Sequence, residues 1–431
     1  MDEQASRRCL RSFAIVALCA SVLVCSFNWL VDPYRLFNTA LFDGHSLRKP
    51  LLGPNARMTK AWEVAQLNPA GIILGTSRAE VGLDPNHAGW RVPPVYNLGL
   101  PSARIYETYR YLQHADAQQS LEQVVLALDF FMFNGAVPSQ AGFDETRLDL
   151  NGGRRKNLGR LKDLVTTLFS LDGLEASFET IRRQDDLFVS YLFSGERHPT
   201  EKWQEIRGVG GHRIAFRRNT EYDLSASDGW VFFSFDYPPD YHYITTIGPL
   251  RDLLIYCQKR GIELHISVSP LHAYKLLEIR QVGLWEEYEQ WKRLLVSTVE
   301  EVNSGPYGKP ILIWDFTGLH TFATEVIPPL NDIETRMRWY WEGSHYQKIV
   351  GDVILDRIFG VITAGVEIPV DFGVRLSSAT IEAHLAGVRT GLERYAESHE
   401  DQVRALDDLV TQSASIRAHL LTTRGQNAPK Y

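Results

Sequence analysis

Residues 71–78 read Gly-Ile-Ile-Leu-Gly-Thr-Ser-Arg, a short apolar run bounded by glycines and followed by two hydroxyl side chains and an arginine. Continuous apolar runs of this length are typical of strands that are buried on both faces of a parallel sheet. Ligands of such sheets bind beyond the carboxyl ends of the strands, and Ser77 would lie at one of those ends. The stretch therefore predicts a first parallel strand with a serine well placed for chemistry.

Four more apolar runs follow along the chain, and helical stretches alternate with them. The runs cover residues 95–98, 123–129, 262–268 and 310–315, and the helical stretches cover residues 105–119, 246–260, 284–303 and 346–359. Strands that alternate with helices indicate βαβ units and a parallel sheet. We therefore expect an α/β fold with a mainly parallel sheet of five strands.

Segments of different character interrupt and flank this alternation. The alternation of strands and helices is interrupted in residues 130–245, and we interpret this stretch as an insertion with a helix near residues 171–184. Two stretches near the C-terminus have helical periodicity and mixed charges, which is typical of amphipathic helices. The expected segments are a lead-in over residues 32–70, an α/β domain over residues 71–360 and a helical extension over residues 361–431, with its helices at residues 378–398 and 401–421.

The N-terminal region contains an apolar run long enough for a membrane anchor. Residues 13–31 read FAIVALCASVLVCSFNWLV without a charged side chain, and about 20 apolar residues cross a bilayer core. Arg7, Arg8 and Arg11 come before it, so the positive-inside rule places residues 1–12 in the cytoplasm. A cleaved signal peptide and a buried core helix are the alternatives. The length of the run favours a single-pass inner-membrane anchor with a periplasmic main domain.

Charge and cysteine content exclude several functional classes. The net charge is −7, which argues against a nucleic-acid partner, because such proteins neutralise phosphates with basic patches. Cys9, Cys19 and Cys25 lie in or beside the apolar run, and Cys257 is alone in the rest of the chain. No Cys/His cluster has the spacing of a zinc site. We expect neither a metal nor a cofactor.

An acid and a histidine close together late in the chain complete a possible catalytic set with Ser77. Residues 342–345 read Glu-Gly-Ser-His and precede a predicted helix. Triads are recognised by roles and geometry, so a serine at the start of a domain can pair with a distant Glu342 and His345. In the alternative interpretation Ser77 caps a turn, His345 is exposed, and Glu342 is an ordinary carboxylate at a helix start.

These blocks resemble those of the SGNH (GDSL-type) hydrolases. Gly75-Thr76-Ser77 is similar to the family's first block with Thr76 replacing Asp, and Glu342-x-x-His345 is similar to its last block with Glu replacing Asp. The resemblance implies a flavodoxin-like three-layer sandwich and a Ser-His-Glu triad, Ser77, His345 and Glu342. It also implies an oxyanion hole from the backbone N–H groups of Ser77 and Gly99. The family's third-block asparagine is replaced here, and Asn134 is the nearest substitute.

The overall layout is similar to that of membrane-linked SGNH-like proteins of bacterial exopolysaccharide systems, including alginate-type O-acetyltransferases. The run Asp-Pro-Tyr-Arg-Leu-Phe at residues 32–37 has the character of that group. This resemblance implies an esterase or O-acyltransferase acting on a carbohydrate ester, with a possible acyl-transferring membrane partner. A non-catalytic polysaccharide-binding or scaffold protein is the alternative, and a metal-dependent hydrolase is a more distant one.

Four further side chains are candidates for substrate contacts. Arg78 follows the candidate nucleophile, and Asp129 and His272 follow the third and fourth predicted strands. Positions after strand ends face the usual ligand edge of a parallel sheet. Trp341 belongs to an aromatic cluster directly before Glu342 and could stack on a sugar, although packing in the core is the commoner role for such a cluster.

Overall fold

The computed structural model describes residues 3–39, 48–150, 158–225, 233–306 and 308–426. Residues 1–2 of the expected tail, 40–47 of the lead-in, 151–157 and 226–232 of the insertion, and 427–431 of the extension lie outside the described residues. The strands are β1 Gly71–Leu74, β2 Val95–Asn97, β3 Gln123–Leu128, β4 Glu263–Val268, β5 Leu312–Asp315 and β6 Val374–Arg375.

Fourteen α-helices and two short 3₁₀ helices surround these strands in the described part of the chain. The α-helices are α1 Glu3–Val31, α2 Ala56–Leu67, α3 Ser77–Gly82, α4 Ile105–Gln118, α5 Leu158–Phe169, α6 Leu171–Arg182, α7 Pro199–Gly208, α8 His212–Asp223, α9 Ile247–Arg260, α10 Ala273–Gln281, α11 Trp285–Asn303, α12 Lys348–Phe359, α13 Ile381–Ser398 and α14 Glu400–Gln426. The 3₁₀ helices are Phe130–Phe133 and Glu145–Arg147.

The strands form one sheet in the order β2-β1-β3-β4-β5-β6. The first five are parallel, with Ile72 opposite both Tyr96 and Val124, while β6 runs antiparallel to β5. The order of the parallel strands, 2-1-3-4-5, is that of flavodoxin-like doubly wound sheets. The predicted α/β class and mainly parallel sheet are confirmed, but the expected strand number of five is wrong, because the structure adds β6.

Two sets of helices pack beside the sheet. Helices α4, α9 and α11 pack side by side, and α3 packs against α12. Every residue of β1, β2 and β3 is buried, which explains why these strands read as continuous apolar runs. The chain order reverses direction between β1 and β3, so the ends of these two strands form a topological switch point.

The regions outside the predicted alternation are well structured where they are described. The lead-in contains α2, which packs against α4, and the insertion contains α5 to α8. After Gly360 the chain first supplies β6, so the sheet continues beyond the boundary expected at residue 360. Helices α13 and α14, predicted as amphipathic, both pack against α10. The described helix α1 is long and apolar enough to cross a membrane.

Candidate functional site

Folding brings Ser77, His345 and Glu342 together at the carboxyl edge of the sheet. The Ser77 Oγ lies 2.8 Å from the His345 Nε2, and the His345 Nδ1 is hydrogen-bonded to the Glu342 Oε1. With Glu342 ionised, Nδ1 carries the proton and Nε2 is left to accept from the serine hydroxyl. The side chain of His345 keeps 19% of its surface exposed, and Ser77 is also partly exposed. The arrangement has the connectivity of a triad that is open to solvent.

The Glu342 carboxylate is held by its own loop. Its Oε2 accepts the Ser344 N–H at 2.8 Å, and its Oε1 accepts the His345 N–H at 3.1 Å. Burial alone would raise the pKa of this carboxyl, but the adjacent His345 and these hydrogen bonds outweigh it and lower the pKa to about 2. Glu342 is therefore an anion at neutral pH, aimed at the imidazole, as a residue that fixes the tautomer must be.

The turn after β1 places Ser77 at the first position of α3. Gly75 has a φ of 152°, and a Cβ there would lie 2.8 Å from the Ala127 carbonyl oxygen on β3, so this turn requires glycine. Thr76 caps α3 by accepting the Arg78 N–H at 3.2 Å. Among the described residues, no acceptor is found for the Ser77 N–H. That donor is therefore available beside the Ser77 hydroxyl.

A buried ion pair lies beneath this turn. Arg78 Nη1 donates to Asp129 Oδ1 at 2.6 Å, and the Thr76 hydroxyl donates to Asp129 Oδ2. Although burial opposes the charge, Asp129 raises the pKa of the Arg78 guanidinium. Both side chains are buried, so the predicted substrate contacts of Arg78 and Asp129 are corrected to a support for the Ser77 turn that links the ends of β1 and β3.

A second buried cluster fixes α3 from its other side. The Glu80 carboxylate lies 3.1 Å from the Lys60 Nζ and 3.1 Å from the Arg197 Nε, and it accepts the Tyr191 hydroxyl at 2.7 Å. Burial raises the pKa of Glu80, but Lys60 and Arg197 outweigh that effect and lower it. The ionised carboxylate thus joins α2 and the insertion to the short helix that begins with Ser77.

The loop after β2 does not offer the oxyanion donor expected from it. The Gly99 N–H donates to the Asn97 Oδ1 at 3.0 Å, while the Lys60 Nζ donates to the Gly99 carbonyl oxygen at 2.6 Å. Gly99 is required for packing, because a Cβ there would lie 2.9 Å from the Thr76 carbonyl oxygen. Its N–H is engaged within its own turn, so the prediction of Gly99 as an oxyanion donor is corrected.

The side chain of Asn134 forms hydrogen bonds through its oxygen. Its side-chain oxygen accepts the Ala136 N–H and the Ser234 N–H, each at 3.1 Å. These bonds join the segment after β3 to a later part of the insertion. The side chain is buried and its amide oxygen shapes this loop, while donation from its amide N–H to an oxyanion stays a prediction.

His272 and Trp341 belong to the interior. His272 caps α10, its Nδ1 accepts the Tyr274 N–H at 3.1 Å, and its Nε2 lies 2.8 Å from the Glu325 carbonyl oxygen. Burial lowers the pKa of His272 to about 4, so the ring is neutral. Trp341 is only 1% exposed and packs with Ile206 of α7. Neither ring is accessible to a ligand, and both predicted substrate contacts are corrected to structural roles.

Sequence reasoning missed several polar residues around the triad. Ser344 lies between the two halves of the site, because its hydroxyl donates to the Asn219 Oδ1 at 3.0 Å and lies 3.4 Å from the Arg78 Nη2. Ser344 lies inside the Glu-x-x-His block, and this position in the sequence could have indicated a role at the site. Glu80, one turn after Ser77, was the corresponding signal for the buried cluster on α3. Asn219 had none, because it lies on a helix of the insertion.

The largest described cleft lies away from the triad. Within the described ranges, no group of three or more His, Cys, Asp or Glu side chains is placed to hold a metal ion. A cleft of about 560 Å³ lies between α8, α14 and the loop at residues 327–330, and none of the triad residues lines it.

Comparisons with known proteins add no relative to this description. The chain matches no model of a protein family, and no match to it is found among curated proteins or solved structures.

Proposed function

We propose that this chain is a membrane-anchored, SGNH-like serine esterase or O-acyltransferase that acts on ester groups of an envelope or exported polysaccharide. One observation carries the proposal: the 2.8 Å contact between Ser77 Oγ and His345 Nε2, with an ionised Glu342 behind the imidazole. A nucleophile within hydrogen-bond reach of a base that a third group orients is the signature of covalent acyl transfer.

The reaction uses the three side chains in turn. His345 Nε2 takes the Ser77 proton as Ser77 Oγ attacks the ester carbonyl carbon, and the Ser77 N–H donates to the developing oxyanion. His345 then returns the proton to the leaving alcohol, which gives an acyl-enzyme. Water releases the acyl group in an esterase, and a sugar hydroxyl accepts it in an O-acyltransferase. Glu342 stabilises the imidazolium while His345 holds the proton.

The fold part of the proposal is a three-layer sandwich of the SGNH type. The strand order 2-1-3-4-5 supports it, because right-handed crossovers on either side of the switch point place helices on opposite faces of the sheet. The two packed sets, α3 with α12 and α4 with α9 and α11, fit those two outer layers.

The cellular setting is part of the same proposal. Helix α1 anchors the chain in the inner membrane with residues 1–12 in the cytoplasm and the main domain in the periplasm. Its length and its hydropathy support this, together with the arginines that precede the apolar run. A membrane protein that supplies acyl groups is the partner such a transferase would require.

One observation favours a second candidate function, a catalytically silent polysaccharide-binding or scaffold protein. The engaged Gly99 N–H leaves the Ser77 N–H as the donor identified for the oxyanion. Loss of one oxyanion donor typically lowers turnover by about 10²–10³-fold. A chain in which Ser77 had lost its reactivity would bind its glycan without cleaving it.

Labelling with a fluorophosphonate probe separates the two candidates. We expect the folded full-length chain to be labelled and the Ser77→Ala variant to remain unlabelled, since the probe requires an activated serine. Ser398→Ala, which removes an exposed hydroxyl at the end of α13, is the matched control and should label like the wild type. An unlabelled wild-type chain with an intact unfolding transition would reject the enzyme and favour the binding protein.

A further inference from the structure

Helices α5 and α6 of the insertion form a hairpin with an unusual outer surface. On α5, Leu158, Leu161, Val165 and Phe169 recur at helical spacing, and each is 51–67% exposed. On α6, the exposed apolar side chains are Leu171, Phe178 and Ile181. Large apolar side chains clustered on one surface in this way mark a contact with another molecule or with lipid.

The position of the hairpin identifies what covers it. Both α5 and α6 pack against α1, and Phe27 of α1 contacts Phe178 with ring centroids 5.0 Å apart. Asn28 is fully buried in this contact: its Nδ2 donates to the Leu168 carbonyl oxygen at 3.2 Å, and its Oδ1 accepts the Ser177 hydroxyl at 2.8 Å. The hairpin thus supplies hydrogen-bond partners for both polar atoms of the Asn28 side chain, near the end of the apolar helix.

The depth of this contact along α1 follows from helix geometry. Asn28 lies one turn before the last residue of α1, Val31, which corresponds to about 5 Å along the helix axis at 1.5 Å per residue. Amphipathic helices at a membrane surface bury their apolar face about 5–10 Å into the headgroup region. A hairpin attached at this level lies where such helices lie. Along the remainder of α1, Ile15, Val16 and Leu23 are also exposed, so α1 and the hairpin packed against it both present apolar side chains that lipid would cover.

We propose that the α5–α6 hairpin is a membrane-interfacial element whose exposed apolar side chains insert into the outer leaflet beside α1. The inference rests on the anchoring role proposed for α1. Lys162 and Glu175, both exposed, occupy the flanks of the two helices, where headgroups and water solvate them. The chain is then held at two points, by a spanning helix and by an interfacial hairpin, which fixes the inclination of the α/β body to the membrane.

Nitroxide accessibility in lipid vesicles tests this arrangement. In a full-length chain with Cys9, Cys19, Cys25 and Cys257 replaced by alanine, single labels are placed at Val165→Cys and Leu171→Cys. Ile15→Cys on α1 is the lipid reference, and Arg404→Cys on α14 is the aqueous reference. In phosphatidylcholine vesicles we expect the ratio of oxygen to nickel-chelate collision rates at residues 165 and 171 to approach that at residue 15. It should be severalfold above that at residue 404.

The outcomes separate this inference from the anchor on which it rests. If residue 15 reports lipid while residues 165 and 171 match residue 404, the hairpin proposal is overturned and its surface is left for a protein partner. If residue 15 itself reports water, the anchor fails and the hairpin proposal fails with it. Because Val165→Cys removes an apolar side chain, Lys162→Cys on the same helix is measured as well. Its ratio should fall between those of residues 165 and 404, and a value equal to that of residue 404 would count against insertion.

Discussion

At the residue scale, the loop around Glu342 holds its carboxylate in position to orient the His345 ring. It accepts the backbone N–H groups of Ser344 and His345 as well as the imidazole. Replacement of the carboxylate by an amide keeps the size of the side chain, but the amide can donate an N–H to His345 Nδ1. The ring would then hold its proton on Nε2, where it cannot accept the Ser77 proton. We expect Glu342→Gln to slow fluorophosphonate labelling by about 10⁴-fold, and Glu342→Asp to slow it less. Equal rates for wild type and Glu342→Gln would show that the carboxylate does not orient His345.

The same carboxylate makes stability depend on pH. Its pKa is about 2 in the folded chain, against an ordinary value of 4.5, so folding favours its ionised form. This contribution is fully present above about pH 4.5 and is lost as the pH falls towards 2. In urea unfolding, the free-energy difference between wild type and Glu342→Gln should shrink steadily over that acid range. A difference independent of pH would contradict the depressed pKa.

The residues that sequence could and could not predict differ in what determines their roles. Ser77, Glu342 and His345 were recognisable because a strand end and a short loop fix their surroundings locally. The role of Gly99 depends on which way the Asn97 side chain turns, and that of Trp341 on a helix of the insertion more than a hundred residues earlier. Such long-range packing leaves no periodic pattern around the residue itself.

At the scale of elements, the site depends on a close crossing of α3, which begins with Ser77, and α12, which follows His345. A Cβ on Gly351 of α12 would fall well inside contact distance of the Gly82 carbonyl oxygen on α3. The two helices could then meet only by moving apart. We expect Gly351→Ala to lower the free energy of unfolding by about 1–3 kcal/mol, as overpacking does, and to slow labelling of Ser77.

Gly387→Ala is the matched control for that substitution. Gly387 also lies within a helix, but no atom is within 4 Å of the position its Cβ would take. Alanine is the better helix former by about 1 kcal/mol, so this variant should be as stable as the wild type or more stable. If both variants unfold at the same urea concentration, the crossing is not as tight as the structure indicates.

The elements also show which patterns sequence reasoning can use. The five parallel strands were predicted because buried strands are continuous apolar runs between helices. Strand β6 has only two residues, Val374 and Arg375, which pair with Asp315 and Trp314 of β5, and so short a strand has no apolar run to mark it. Helix α2 was missed because Lys60 and Glu63, which would normally indicate an exposed face, are buried in ion pairs.

At the scale of the whole molecule, hydrogen bonds and an ion pair join the end of α1 to the body. The Asp32 carboxylate accepts the Leu36 N–H at 2.7 Å and the Phe37 N–H at 3.1 Å, which forms a tight turn as the chain leaves the helix. The Lys49 Nζ donates to the Val31 carbonyl oxygen, and the Arg35 guanidinium pairs with Glu63 of α2. These contacts link α1 to α2, and Lys60 of α2 in turn contacts the Gly99 carbonyl oxygen and the Glu80 carboxylate near Ser77.

The orientation proposed for α1 in the membrane can be tested with a thiol that the chain already carries. Cys9 precedes the apolar run among Arg7, Arg8 and Arg11, and the positive-inside rule holds such a cluster in the cytoplasm. In intact spheroplasts, a membrane-impermeant maleimide should label Arg404→Cys in a chain whose native cysteines are replaced by alanine. A chain that retains only Cys9 should be labelled only after permeabilisation. Labelling of Cys9 and not of residue 404 before permeabilisation would place the α/β body in the cytoplasm, away from any exported polysaccharide. That result would reject the proposed substrate class, whereas the proposed reaction of the triad would be unaffected by it.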